Sequence, residues 1–346
     1  MGKEISNYPS IHTIRYMGNK TKLFNFIVPQ IEKITKEGDV ICDLMCGTSS
    51  IGYALSQRNR IISNDFQYSS SVVSKALLET SRMPTIEEIH SDIDHLYEEN
   101  MFKQHYDFFY KEYSDTYFAP NQCLQIDSIR YAISKVNKEK QNLYLTFLMS
   151  AMCKAQSTPG HFAQFLKKDS SRVQPLRKYD ILKLFYDKAE EFQGVKLPKY
   201  KNIVFNEDYN DLFLEKEIKE AKCIYLDPPY TADQYSRFYH ILETICLYDS
   251  PKTSCKAKYR EGRKMSNFCY KDSVYSEFEK IIAFAKKNNS SLVISYSNHG
   301  VANPEKILEI GKKYYNDYSL IFEDYNHSSQ GSGSIKILEC LIILRA

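Results

Sequence analysis

The 346-residue chain has no tryptophan, against 28 tyrosines and 19 phenylalanines. Any surface that stacks on a planar ligand must therefore use Tyr, Phe, His or Arg. It has no CxxC pair, and its nine cysteines are scattered and odd in number. That excludes a disulfide framework and fits a reducing cytoplasm, the compartment expected here. Cys42 and Cys46 stand four apart, but no second Cys/His pair follows at zinc-ligand spacing, so no metal site is expected. Charge of neither sign dominates: 46 basic and 43 acidic side chains leave a formal +3, too little to name a partner. The opening "MGKEISNYPS" has no apolar segment, so neither a signal peptide nor a membrane span is expected. Gly2 and Ser6 match an acylation pattern only weakly and are set aside. Internal repeats and low-complexity tracts are also missing. With 43% apolar and 26% charged residues, the chain reads as globular, with core enough for one large domain or two.

What is present is a series of β-forming runs: "DVICDLM" (39–45), "RIISNDF" (60–66), "NIVFN" (202–206), "CIYLD" (223–227), "SLVISYS" (291–297), "SLIFEDY" (319–325) and "IKILECLIIL" (335–344). Several are continuously apolar, as strands covered on both faces are. Helical stretches at 21–36, 49–58, 67–81, 211–220, 275–288 and 304–315 alternate with them, predicting an α/β fold with a doubly wound, mostly parallel sheet. Only "NHSSQGSGS" separates the last two runs, so they should pair as an antiparallel terminal hairpin. Seven strands ending this way are the pattern of the class I methyltransferase sheet. Residues 83–200 interrupt the alternation, read almost wholly helical, and predict an inserted domain.

Candidate chemistry gathers at strand ends. The run "CIYL" breaks into Asp227, Pro228, Pro229 and Tyr230. Two prolines cannot donate to a ladder, so the strand stops at Asp227. A proline-rich turn closing a buried strand is the plain explanation; the sharper one is that the prolines aim a carboxylate, a carbonyl and a ring at a ligand. "DLMCGTSSIG" (43–52) joins the first strand to its helix through Gly47, where the backbone can approach a ligand closely. Asp65 ends the second strand, placed for ribose hydroxyls, and Asp208 ends the third, where an adenine amine could be read. A turn with one glycine suits a nucleoside without a pyrophosphate. S-Adenosyl-L-methionine is one, and its amine suits Asp43. Three acidic strand ends beside an Asp-Pro-Pro-Tyr turn make coincidence a poor account.

With "RYMGNKTKL" (15–23) and "QYSRFYHILETI" (234–245), the arrangement resembles the Dam-like class of DNA adenine-N6 methyltransferases, in the branch of the FokI-type modification enzymes. The resemblance implies that Tyr16 and Lys20 help hold the cofactor, with Asp43, Gly47, Asp65, Asp208 and Asp227. Met45 and Ser49 depart from the family's loop, which usually has Phe and a second Gly there. It implies three parts: 1–82, the cofactor-binding half; 83–200, a helical target-recognition insert; and 201–346, the catalytic half, with a basic insertion near 250–273. Asp227 and the Pro228 carbonyl would accept the adenine amine, and Tyr230 would stack on a base flipped out of the duplex. Phe238 or Tyr239 could support the target base, and each is as well explained by core packing.

Two loop-like stretches carry local charge. Residues 154–178 hold six Lys/Arg against one acid, and 252–272 hold seven against two, with aromatics interleaved. Each could be a solvated face; together they favour a polyanion. Lys167, Lys168, Arg172 and Arg177 are the candidate DNA contacts, with Gln174 a candidate base reader. The expected partner is double-stranded DNA and the expected state a monomer; the sequence leaves open whether a restriction endonuclease accompanies it. The rival readings are cytosine-N4 methylation, which Asp rather than Ser at 227 disfavours, RNA methylation, and an inactive DNA-binding module.

Overall fold

The β-branched and aliphatic runs pair in this computed structural model, described here for residues 8–324 and 338–346. The strands are β1 (Val40–Asp43), β2 (Arg60–Asn64), β3 (Ile203–Phe205), β4 (Cys223–Leu226), β5 (Thr253–Ser254), β6 (Tyr259–Arg260), β7 (Ser291–Ser297), β8 (Asp317–Asp324) and β9 (Leu338–Arg345). Seven form one sheet in the order β3-β2-β1-β4-β7-β9-β8. Its first four pairings are parallel, whereas β9 runs antiparallel to both β7 and β8. This is the class I methyltransferase topology that the sequence predicts. The "NHSSQGSGS" link between the last two strands lies outside the described residues, as do Gly2 and Ser6.

Successive side chains alternate between the two faces of the sheet, both of them covered, so the central strands feed two cores. Ile41, Cys223, Tyr225, Val293 and Leu341 point to one; Cys42, Ile224, Leu226, Ile294 and Ile342 point to the other. Helices cover both faces: α1 (Phe24–Ile34), α2 (Ser50–Leu55), α3 (Tyr68–Leu78), α4 (Ile86–Lys103), α5 (Phe108–Tyr113), α6 (Pro120–Lys135), α7 (Lys138–Ala155), α8 (Ile181–Phe192), α9 (Tyr209–Leu212), α10 (Tyr235–Phe238), α11 (His240–Leu247), α12 (Val274–Lys287) and α13 (Pro304–Lys312). The block α4–α8 fills the interval read as helical. Its inner side chains, Ile129, Phe147, Met152 and Phe185 among them, share one continuous core with Val72 and Val73 of α3 and Leu242 of α11.

Two local expectations change. The helix predicted over 211–220 is instead the four-residue α9 followed by a 3-10 turn at Glu217–Glu220. Only Tyr209, Leu212 and Ile218 are buried there, too few for an amphipathic stripe. The basic stretch 252–272, read as loop, contains the small hairpin β5–β6. Lys258 and Arg260 in that stretch pair with Glu112 at 3.4 Å and Asp249 at 2.8 Å. Among the described residues no helix is long and apolar enough to cross a membrane.

Candidate active site

The chain turns one way from β1 to β2 and β3, then returns to β4 on the other side, so a crevice opens at the carboxyl ends of β1 and β4. A cleft open to solvent lies there. Tyr16, Lys20, Asp43, Gly47, Asp65, Asp208, Asp227, Pro228, Pro229 and Tyr230 all line it.

Asp43 is 2% exposed. Its Oδ2 accepts the Gly52 N–H at 3.2 Å, while Oδ1 has no partner. Burial pushes its carboxyl up to about 7, against the Gly52 bond. A buried carboxylate oxygen without a donor fits a cationic amine. Asp65 follows β2 and accepts the N–H groups of Gly47 (3.0 Å) and Gln67 (2.9 Å), one on each oxygen. Burial raises it to about 6 despite those bonds. It thereby shapes the glycine turn, keeping the remaining lone pairs for a ligand. Gly47 has φ +52°, and a Cβ there would meet the Tyr16 ring at 3.1 Å. Tyr16 in turn stacks on Tyr239 with ring centroids 4.3 Å apart.

Ser49, where the resembled loop has glycine, also takes a left-handed φ of 56°. Its hydroxyl lies 3.1 Å from that of Ser63 and 2.8 Å from that of Ser74, which are 2.7 Å from each other. This buried triangle holds a conformation that a residue with Cβ ordinarily avoids. Asp208 sits on the exposed rim of the cleft and caps α9, accepting the Asn210 N–H at 2.9 Å.

At the end of β4, Lys20 rather than solvent meets Asp227. Its ammonium lies 2.9 Å from Asp227 Oδ2 and 3.6 Å from Glu339 Oε1, donates to the Gly18 carbonyl at 3.1 Å, and stands 4.7 Å from the Tyr230 ring centroid. Burial works against the charge, but the two carboxylates outweigh it and raise Lys20. Burial likewise raises Asp227, while Lys20 and the Tyr230 hydroxyl oppose the rise. Lys20 thus sits on the Asp-Pro-Pro-Tyr turn itself. Tyr230 points its hydroxyl inward, 2.7 Å from Asp227 Oδ1 and 2.5 Å from Glu339 Oε1.

Phe238 and Tyr239 are 4% and 1% exposed, which is the core packing named as their alternative. Of the four candidate DNA contacts, none lines the cleft. Lys168 is tied to Asp115 at 2.9 Å, and Arg177 bonds the same carboxylate and the Phe118 carbonyl. Lys167 and Arg172 are exposed, with no salt bridge among the described residues, and Gln174 is exposed beside them. Among the described residues no group of three or more His, Cys, Asp or Glu could hold a metal ion. Sequence reasoning missed Glu339 and Ser295, which carry no local signature.

Residues 16–315 match the family model described as D12 class N6 adenine-specific DNA methyltransferase. The chain is 30% identical over 340 residues to modification methylase LlaI of Lactococcus lactis subsp. lactis, covering 93% of this chain and 53% of that protein. It is 28% identical over 345 residues to type II methyltransferase M.FokI of Planomicrobium okeanokoites (93% and 51%). With type II methyltransferase M.NlaIII of Neisseria lactamica it shares 27% over 325 residues (90% and 91%). It therefore spans about half the length of the first two relatives and most of the third. By fold, strand-end constellation and this match across most of its length, the chain belongs to the D12 class N6 adenine-specific DNA methyltransferase family.

Proposed function

We propose that the protein transfers a methyl group from S-adenosyl-L-methionine to the N6 amine of adenine in double-stranded DNA, as the modification arm of a restriction-modification system in the cytoplasm. The observation that carries this is the Asp227–Tyr230 turn, opening at the end of β4 into the same cleft as the unpartnered oxygen of Asp43. Residues 83–200 would be the target-recognition part, and a monomer the working unit, beside a cognate restriction endonuclease where one exists.

The residues fit the cofactor. Asp43 Oδ1 would accept its ammonium, Asp65 its ribose hydroxyls, Asp208 on the rim would face its adenine, and Gly47 would let it approach the backbone, with Tyr16 behind. When bound, it supplies an electrophilic methyl group on a sulfonium. The adenine N6 lone pair is delocalised into the ring, so the amine is a poor nucleophile. The Asp227 carboxylate and Pro228 carbonyl would accept its two N–H bonds and draw the nitrogen toward tetrahedral geometry. The prolines fix both acceptors in advance, and the Lys20 ammonium opposes the upward push that burial gives the Asp227 carboxyl. Asp227 need not be a strong base, because the amine proton becomes acidic once nitrogen has formed its new bond. Positioning supplies much of the acceleration.

The test is to incubate the protein with labelled methyl donor and duplex DNA, digest the DNA and identify the labelled nucleoside. N6-methyladenosine in its deoxy form is expected. Label on cytosine N4, or on RNA alone, would overturn the proposal.

A further inference from the structure

Glu339 is a carboxylate, 2% exposed, that reaches the Asp227–Tyr230 turn from β9. Burying a charge this deeply is unfavourable unless it is paired, and each of its partners belongs to the centre or adjoins it. Ser295 of β7 donates to its Oε1 at 2.8 Å, the Tyr230 hydroxyl lies 2.5 Å from that oxygen, and Lys20 Nζ lies 3.6 Å away. Tyr230 also faces Asp227 Oδ1 at 2.7 Å. With a single proton to give, its hydroxyl donates to one carboxylate at a time, so Glu339 and Asp227 are joined through it. Lys20 spans the same two carboxylates from the other side. Asp227 is thus framed by Lys20 from the N-terminal segment, Glu339 from β9 and Tyr230 from its own turn, with Tyr225 of β4, Asp43 of β1 and Tyr235 of α10 nearby.

We propose that Glu339 is a positioning residue for methyl transfer: it anchors the Tyr230 hydroxyl and the Lys20 ammonium, and so fixes the Asp227 carboxylate in the orientation that receives the substrate amine. This rests on the function proposed above. Glu339→Gln keeps the shape and removes the charge. Assayed with duplex DNA and S-adenosylmethionine, it should lower kcat about 100-fold, the scale of a small misplacement at a reacting centre. Its calorimetric Kd for S-adenosylmethionine should change far less than kcat does. Because a like charge beside Asp227 is gone, the acidic limb of the kcat profile should move to lower pH, and Glu339→Asp should recover part of the rate. A Gln variant with wild-type kcat, or one whose rate falls while the acidic limb stays in place, overturns the role. Should Glu339→Gln not fold, Tyr230→Phe cuts the same link; wild-type kcat in that variant overturns it too. A wild-type protein that methylates no adenine overturns the underlying function and this role with it. An active wild type with an indifferent Gln variant overturns this role alone.

Discussion

At the scale of single residues, burial and partner decide what each carboxylate can do. The folded Asp43 carboxyl keeps its proton up to about pH 7, whereas the ordinary value is 3.8. Between those values the folded state binds more protons than the unfolded one, so this group's contribution to stability declines as pH rises through that window and is level above it. Asp65, raised to about 6, acts with the same sign over a narrower window. If Asp43 receives the cofactor's ammonium as proposed, it must be ionised to do so. The thermal shift produced by S-adenosylmethionine should therefore grow between pH 5.5 and 7.5, as scanning calorimetry at both ends would show; an equal shift at both would remove Asp43 from the amine site. Asp43→Asn should raise the stability of the ligand-free protein by roughly 1–3 kcal/mol at the upper end, while weakening the cofactor in calorimetric titration. Tyr230 is a second case. From sequence its ring alone matters, for stacking. Its hydroxyl, set between Asp227 and Glu339, predicts that both Tyr230→Phe and Tyr230→Ala lose turnover, with Ala also losing roughly 1–3 kcal/mol of stacking on the target base. DNA affinity measured for the two variants separates these parts.

At the scale of elements, what was legible was local. The strand runs, the alternation with helices and the acidic strand ends follow from pleat, propensity and turn chemistry, each readable within about ten residues. What was not legible depends on residues far apart in the chain. Glu339 sits in a run of aliphatics that reads as an ordinary buried strand, and its partner Tyr230 is 109 positions away. The hydroxyl triangle of Ser49, Ser63 and Ser74 joins α2, β2 and α3, and no one of these serines marks it. Ser49 illustrates the competition it settles. Ser49→Gly relieves a left-handed backbone, worth about 1 kcal/mol, but gives up hydroxyl bonds worth about 1 kcal/mol each. Ser49→Ala loses the bonds and keeps the backbone conformation. Urea unfolding should rank the stabilities wild type, then Gly, then Ala; an Ala variant at least as stable as the Gly variant would contradict this.

At the scale of the whole molecule, the basic stretches are not uniform. Asp115 engages Lys168 and Arg177 within the fold, whereas Lys167 and Arg172 stand exposed. If the 154–178 stretch meets DNA, the double change Lys167→Ala with Arg172→Ala should lower affinity and reduce the salt slope by about 0.9 for each lost phosphate contact. Arg177→Ala should chiefly destabilise the segment it anchors. Titrations at several salt concentrations on cognate and scrambled duplexes distinguish the two, and an unchanged slope would assign the stretch to solvent. In the proposed division of labour within the cleft, one half holds the methyl donor and Asp227 in the other acts on the substrate amine. That division is tested most directly by Asp227→Ala, comparing S-adenosylmethionine affinity by calorimetry with single-turnover methyl transfer to duplex DNA. The variant should fold, still bind the cofactor and transfer no methyl group; transfer at the wild-type rate would overturn this division.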